Sequence, residues 1–157
     1  MDFVALIRQV AIKEGINADL FQAICTHESA MNPFAMRFEP AWKYFYFPRE
    51  TASKLGITEQ TESVLQASSH GLCQIMGSVM RELGYLQPLT VVYSDPSLPL
   101  VYGAKHLKKY GEKYKTEAEV ISAYNAGTPA KTAGGMFVNQ KYVDAVSLHL
   151  HELRKLG

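Results

Sequence analysis

A chain of 157 residues, 47% of them apolar, has enough material to bury a core without disulfides or metals, and it reads as one domain spanning residues 1–157. Lys and Arg number 16 against 15 Asp and Glu, and a formal net charge of +1 sets up no field to gather a polyanion, so nucleic acid is not an expected partner. Cys25 and Cys73 lack any CxxC or Cys/His ligand spacing and read as small buried apolar residues, with a disulfide between them left open.

The first fifteen residues carry Asp2, Arg8, Lys13 and Glu14, so they lack the charged start and long apolar core of a secretory leader. No stretch approaches a membrane span. Phe3, Leu6, Ile7, Val10 and Ala11 form a helical stripe that stops at Gly15, and Asn17 then caps a second helix running to about Ser29. From Phe34 to Phe47 there is no clean period. That stretch is loop, short strand or broken helix, and small antiparallel strands fit there or around Leu89 to Tyr93. Pro48 opens a short helix ending near Gly56. Leu72, Ile75, Met76, Val79, Met80 and Leu83 predict a helix that stops at Gly84. Asp95-Pro96 caps a helix carrying Val101, Tyr102 and Leu107 to Gly111, and Thr116 with Glu119 forms a capping box for a helix ending at Ala126-Gly127. A last helix covers roughly Asn139 to Leu156. No repeat or linker divides the chain, and the class is mainly α with small β segments at most.

On the second helix Leu20, Ile24 and Glu28 are spaced by four, so the carboxylate shares the face that carries the apolar stripe inward. Partial desolvation favours the protonated carboxyl, which a group must hold to donate to a leaving oxygen near neutral pH. The competing reading is a glutamate at a helix end paired with an arginine such as Arg37.

The residues around Glu28 weigh against the plain reading. The string His27-Glu28-Ser29-Ala30-Met31-Asn32-Pro33 resembles the Glu-Ser-x-x-Asn-Pro signature of lytic transglycosylases. Gly71-Leu72-Cys73-Gln74-Ile75-Met76 is similar to that family's Gly-Leu-Met-Gln-Ile-Met motif, and Ser122-Ala123-Tyr124-Asn125-Ala126-Gly127 to its Ala-Tyr-Asn-Ala-Gly motif, in the family's order. Three departures stand out: Cys73 where methionine is usual, His70 where a small residue is common, and Asp95 where asparagine is common. Cys73 keeps apolar character, and His70 is expected to be solvated at a helix start.

The resemblance implies a lysozyme-like, soluble-lytic-transglycosylase fold, mainly helical with a substrate cleft, acting on bacterial peptidoglycan. Glu28 takes the acid/base role. Ser29 orients that carboxylate or touches substrate, Gln74, Tyr124 and Asn125 line the cleft, and Tyr142 is a further neighbour of Glu28. For Gln74 and Asn125 the alternative is a satisfied structural amide, and for Tyr124 and Tyr142 a core aromatic. Ordinary glycosidases need two carboxylates, whereas only Glu28 is fixed by a motif here. The family's chemistry closes the muramic C6 hydroxyl on the anomeric carbon to give a 1,6-anhydro product, with no cofactor. A hydrolytic, goose-type muramidase is the rival, with Glu39 of Arg37-Phe38-Glu39-Pro40-Ala41-Trp42 holding water; the alternative for Glu39 is a surface pair with Arg37 or Lys43.

Trp42, Tyr44, Phe45, Tyr46 and Phe47 form the densest aromatic patch and suit a sugar-binding wall, with Trp42 the residue expected to face substrate; the alternative is that half of them are core, since alternate positions of a short extended segment point inward. A cysteine hydrolase built on Cys25 with His27, or Cys73 with His70, lacks shared helix faces and a third group to orient the base. The histidines are too scattered for a metal site. A non-catalytic binding module remains as a different class. The expected state is a monomer without membrane insertion, delivered to the periplasmic or cell-wall substrate by phage lysis machinery, a virion or a secretion apparatus, unless the mature chain has lost a leader.

Overall fold

The computed structural model describes residues 1–156 and shows, among them, eight α-helices and one small three-stranded sheet. This is the mainly helical architecture expected. By internal packing the chain divides into two units, residues 1–28 with 104–157, and residues 29–103.

The first unit opens with α1 (Phe3–Glu14), started where the Asp2 carboxylate accepts the Ala5 N–H at 3.0 Å. Asn17 Oδ1 accepts the Leu20 N–H at 2.9 Å and starts α2 (Ala18–Ser29). Every residue from Leu20 to Cys25 is buried, the apolar ones packed and Gln22 accepting from Arg8 at 3.1 Å. Each fully buried Phe or Ile of that run contributes about 1.5–3 kcal/mol relative to exposure. The helix α6 (Ser97–Lys113) starts where Asp95 Oδ1 accepts the Ser97 N–H at 3.0 Å, and from Ala104 onward it belongs to this unit. It runs through Gly111 to Lys113, past the expected stop, because glycine ends a helix only where it takes the left-handed turn that Gly127 takes. Thr116 and Glu119 form the expected capping box on α7 (Glu117–Ala126), and α8 (Gln140–Leu156) closes the unit.

The second unit holds β1 (Met36–Phe38), β2 (Ser68–His70) and β3 (Ile75–Met76), antiparallel in that order, with Met36 opposite His70 and Ser69 opposite Met76. Around them lie α3 (Pro48–Leu55), α4 (Glu59–Gln66), α5 (Gly77–Glu82) and a 3₁₀ turn at Leu89–Tyr93. Three expectations are corrected here. The Leu72–Leu83 stripe is not one helix: Gly71 and Gln74 both take positive φ, so residues 71–74 turn tightly between β2 and β3 and only Gly77–Glu82 is helical. Leu72, Cys73 and Ile75 are buried because the turn is covered, which mimics a helical stripe in sequence. Leu89–Tyr93 is a 3₁₀ turn instead of a strand. The aromatic stretch 40–47 is irregular, so its side chains do not alternate inward.

Both cysteines are buried, as expected of small apolar residues. Among the described residues no helix is long and apolar enough to cross a membrane.

Candidate active site

In the first unit, Leu20 and Ile24 anchor α2 in the core and leave Glu28 half-buried one turn further on. From α8 the Tyr142 hydroxyl donates to Glu28 Oε1 at 2.7 Å, a bond that fixes the carboxyl group. Arg37, the arginine weighed as a partner for Glu28, forms an ion pair with Glu39. The His27 ring stands edge-on to Tyr142 at 5.0 Å, with His149 6.2 Å away. Partial burial, and secondarily His149, hold His27 below the usual imidazole pKa.

The third motif lies on α7. Tyr124 is buried with its ring 5.6 Å from His106, and Asn125 is exposed, its Oδ1 accepting from Asn139 Nδ2 at 2.9 Å. Asn139 also donates to the Ser122 carbonyl and accepts the Ser122 hydroxyl at 2.7 Å, so one side chain braces the motif from both ends.

The second unit begins at Ser29. Ala30 and Met31 follow with φ of 50° and 65°, left-handed conformations that cost a non-glycine residue about 1–2 kcal/mol each. Bonds around them offset that strain: Ser29 Oγ donates to the Leu72 carbonyl at 2.8 Å, and the Asn32 N–H to the Ser29 carbonyl at 3.0 Å.

The second motif is the turn whose Leu72 carbonyl receives the Ser29 hydroxyl. Gly71 has φ 71°, and a Cβ there would stand 2.8 Å from Pro99 Cγ, so both the conformation and the close approach demand glycine. Its N–H donates to the Ala35 carbonyl at 2.8 Å. Gln74 Nε2 donates to the carbonyls of Ala35 and Gly71, and its Oε1 accepts from Ser69 at 2.7 Å. Both protons of the Gln74 amide are thus given to backbone, and the structure brings Gln74 to the segment that follows Ser29.

Glu39 forms an ion pair with Arg37, the pairing weighed for it from sequence. Trp42 is only half-exposed: its Nε1 donates to the Tyr44 carbonyl at 3.0 Å and its ring packs edge-on against Tyr44. Tyr44 is the most open residue of the patch at 76% exposure, with Phe45, Tyr46 and Phe47 also exposed, so the outward-facing rings are mainly the ones after Trp42.

His70 is fully buried on β2, which corrects its expected solvation at a helix start. Its Nε2 lies 2.9 Å from the Leu65 carbonyl and must carry the proton, so Nδ1 accepts from the Tyr93 hydroxyl at 2.8 Å. Burial holds its pKa below the usual value, with the Leu65 carbonyl acting in the opposite sense. The Cys73 thiol donates to the Pro99 carbonyl, so it and His70 do not form a thiol–imidazole couple. Cys25 is buried while His27 is exposed. Among the described residues no group of three His, Cys, Asp or Glu side chains is arranged to hold a metal ion.

Sequence reasoning missed Asn139, whose only signal was its place before the last helix, and a buried set made of Glu62 and Gln66 on α4, a polar helix with no apolar stripe, and Arg81 on α5. Comparison with curated proteins and with solved structures gave no match. The Transglycosylase SLT domain model matches residues 5–134, which takes in all three motifs and stops short of Tyr142. The match spans most of the chain, which therefore belongs to the SLT transglycosylase domain family, enzymes that cleave peptidoglycan by the lytic transglycosylase reaction.

Proposed function

We propose that Glu28 alone is the acid and base of a lytic transglycosylase, and that residues 1–157 act as one catalytic domain and as a monomer. The observation that carries the reading is the half-buried Glu28 carboxylate held by the Tyr142 hydroxyl at 2.7 Å, inside the first of three family motifs. In the first step the Glu28 carboxylic acid gives its proton to the oxygen joining N-acetylmuramic acid to N-acetylglucosamine. The bond from that oxygen to the anomeric carbon breaks, its electron pair leaves with the oxygen, and the muramic N-acetyl oxygen steadies the positive carbon. In the second, Glu28 takes the proton of the muramic C6 hydroxyl, whose oxygen bonds to the anomeric carbon. The enzyme returns protonated, and no water is consumed.

Tyr142 holds the carboxylate through both steps, and Tyr124 and Asn125 contribute to the sugar site. In the second unit Ser29 and Gln74 serve by fixing the turn at Gly71, and Trp42 with Tyr44 to Phe47 offers faces for pyranose rings. Engagement of Glu39 by Arg37 favours this reading over hydrolysis, because the water-holding carboxylate would have to leave its partner.

Mass spectrometry of the soluble products from purified peptidoglycan tests the reading. Anhydro-muropeptides, each lighter by one water than the reducing-end species, are expected. Reducing-end products alone would make the enzyme a hydrolase and Glu39 the next residue to replace.

A further inference from the structure

Residues 40–47 form no regular structure yet hold four aromatic rings in the open, which calls for something beneath to keep the backbone in place. Gln66, at the end of α4, is fully buried there. Its Oε1 accepts the Tyr46 N–H at 2.8 Å and its Nε2 donates to the Tyr46 carbonyl at 3.0 Å, the paired exchange that one strand residue makes with another. The second Nε2 proton goes to Glu62 Oε1 at 2.8 Å. Glu62, also fully buried, receives Arg81 Nε and Nη2 at 2.8 and 3.0 Å, and Arg81 Nη1 donates to the carbonyls of Tyr85 and Gln87. A buried ion pair of this kind is often no more stabilising than apolar residues of the same volume, so its presence points to specification of geometry. An apolar residue at 66 would fill the space but strand the Tyr46 N–H and C=O. Next to Tyr46, Phe47 takes φ 41° and Pro48 opens α3, so the segment is pinned on that side as well.

We infer that Gln66 is a positioning residue for glycan binding: it clamps the Tyr46 backbone, backed by Glu62 and Arg81, and so sets the aromatic faces of residues 44–47 toward N-acetylated sugar rings. The inference rests on the reading of this segment as a sugar-binding surface. Gln66 touches no substrate, and its loss weakens binding without slowing the bond-breaking step, a KM effect.

Trp42 is the single tryptophan of the chain, so its fluorescence reports on this segment. The test compares Gln66→Met, close in size but without the three hydrogen bonds, with the wild type in acrylamide quenching of Trp42 and in steady-state solubilisation of peptidoglycan. Expected are stronger quenching, a KM raised by about tenfold and kcat within about twofold, the tenfold corresponding to one weakened binding contact. A cooperatively folded Gln66→Met with wild-type quenching and KM overturns the inference. If that variant does not fold, Gln66→Asn replaces it: its amide is one methylene short of the Tyr46 backbone, so quenching and KM should rise as for Gln66→Met, and a folded Gln66→Asn with wild-type quenching and KM overturns the inference. Tyr44→Ala separates the two ideas. A raised KM there with an unaffected Gln66→Met rejects the Gln66 role alone, whereas looser Trp42 with no KM change in either variant rejects the sugar-surface reading and the inference with it.

Discussion

The Tyr142 hydroxyl is the most economical place to test how Glu28 is held. Tyr142→Phe keeps the ring against His27 and leaves the Glu28 carboxyl group without this donor, a loss of about 1–3 kcal/mol, so kcat is expected to fall by about 5- to 100-fold with KM little changed. Steady-state solubilisation of peptidoglycan reads this directly, and an unchanged kcat would remove Tyr142 from the machinery. His70 supplies a second residue-level prediction. Burial depresses its folded pKa below the ordinary imidazole value, so below about 6.5 the unfolded chain takes up a proton that the folded chain resists. Stability from this group is whole above that pH and declines on acidification toward the folded pKa. Urea midpoints at pH 7.5 and 5.5 should therefore drop further in wild type than in His70→Gln, and equal drops would contradict the assignment. At this scale the motifs single out Glu28 and Tyr124 in the sequence. The family resemblance named Tyr142 as a neighbour of Glu28 across 114 positions, but that the amide protons of Gln74 go to backbone depends on the turn at Gly71, which no local pattern announced.

At the scale of elements, the join between α4 and α5 decides whether the Gln66 clamp keeps its shape. A Cβ on Gly77 would meet the Leu65 carbonyl oxygen at 2.3 Å and Gln66 Cα at 3.0 Å, both backbone atoms that no side-chain rotation relieves. Gly77→Ala should destabilise the chain by about 2–3 kcal/mol, as overpacking against backbone does, readable as a lowered urea midpoint. A wild-type midpoint would mean that the end of α4 shifts freely. The helices read from sequence were those with strong ends and an apolar stripe: Asp2 and Gly15 bound α1, and Thr116 with Glu119 begins α7. The helix α4 was invisible because its buried positions are Glu62 and Gln66, polar residues one turn apart that look like a solvated face. The stripe from Leu72 to Leu83 misled for the opposite reason, since burial in a covered turn imitates helical periodicity.

For the whole molecule, local order and motif order agree: the mainly helical class followed from caps and periods, and membership of the SLT transglycosylase domain family from three short strings in the right sequence. What sequence could not supply was the division into residues 1–28 with 104–157 and residues 29–103, which depends on non-local packing. The central claim is that Glu28 is the acid and base, and Glu28→Gln is the variant to measure, because its amide oxygen can still accept the Tyr142 hydroxyl while its side chain has no proton to give at neutral pH. The initial rate of muropeptide release from purified peptidoglycan should fall by at least about a hundredfold, the scale of lost general acid–base catalysis, with the urea midpoint unchanged. Release at the wild-type rate by the folded Glu28→Gln protein would contradict the account.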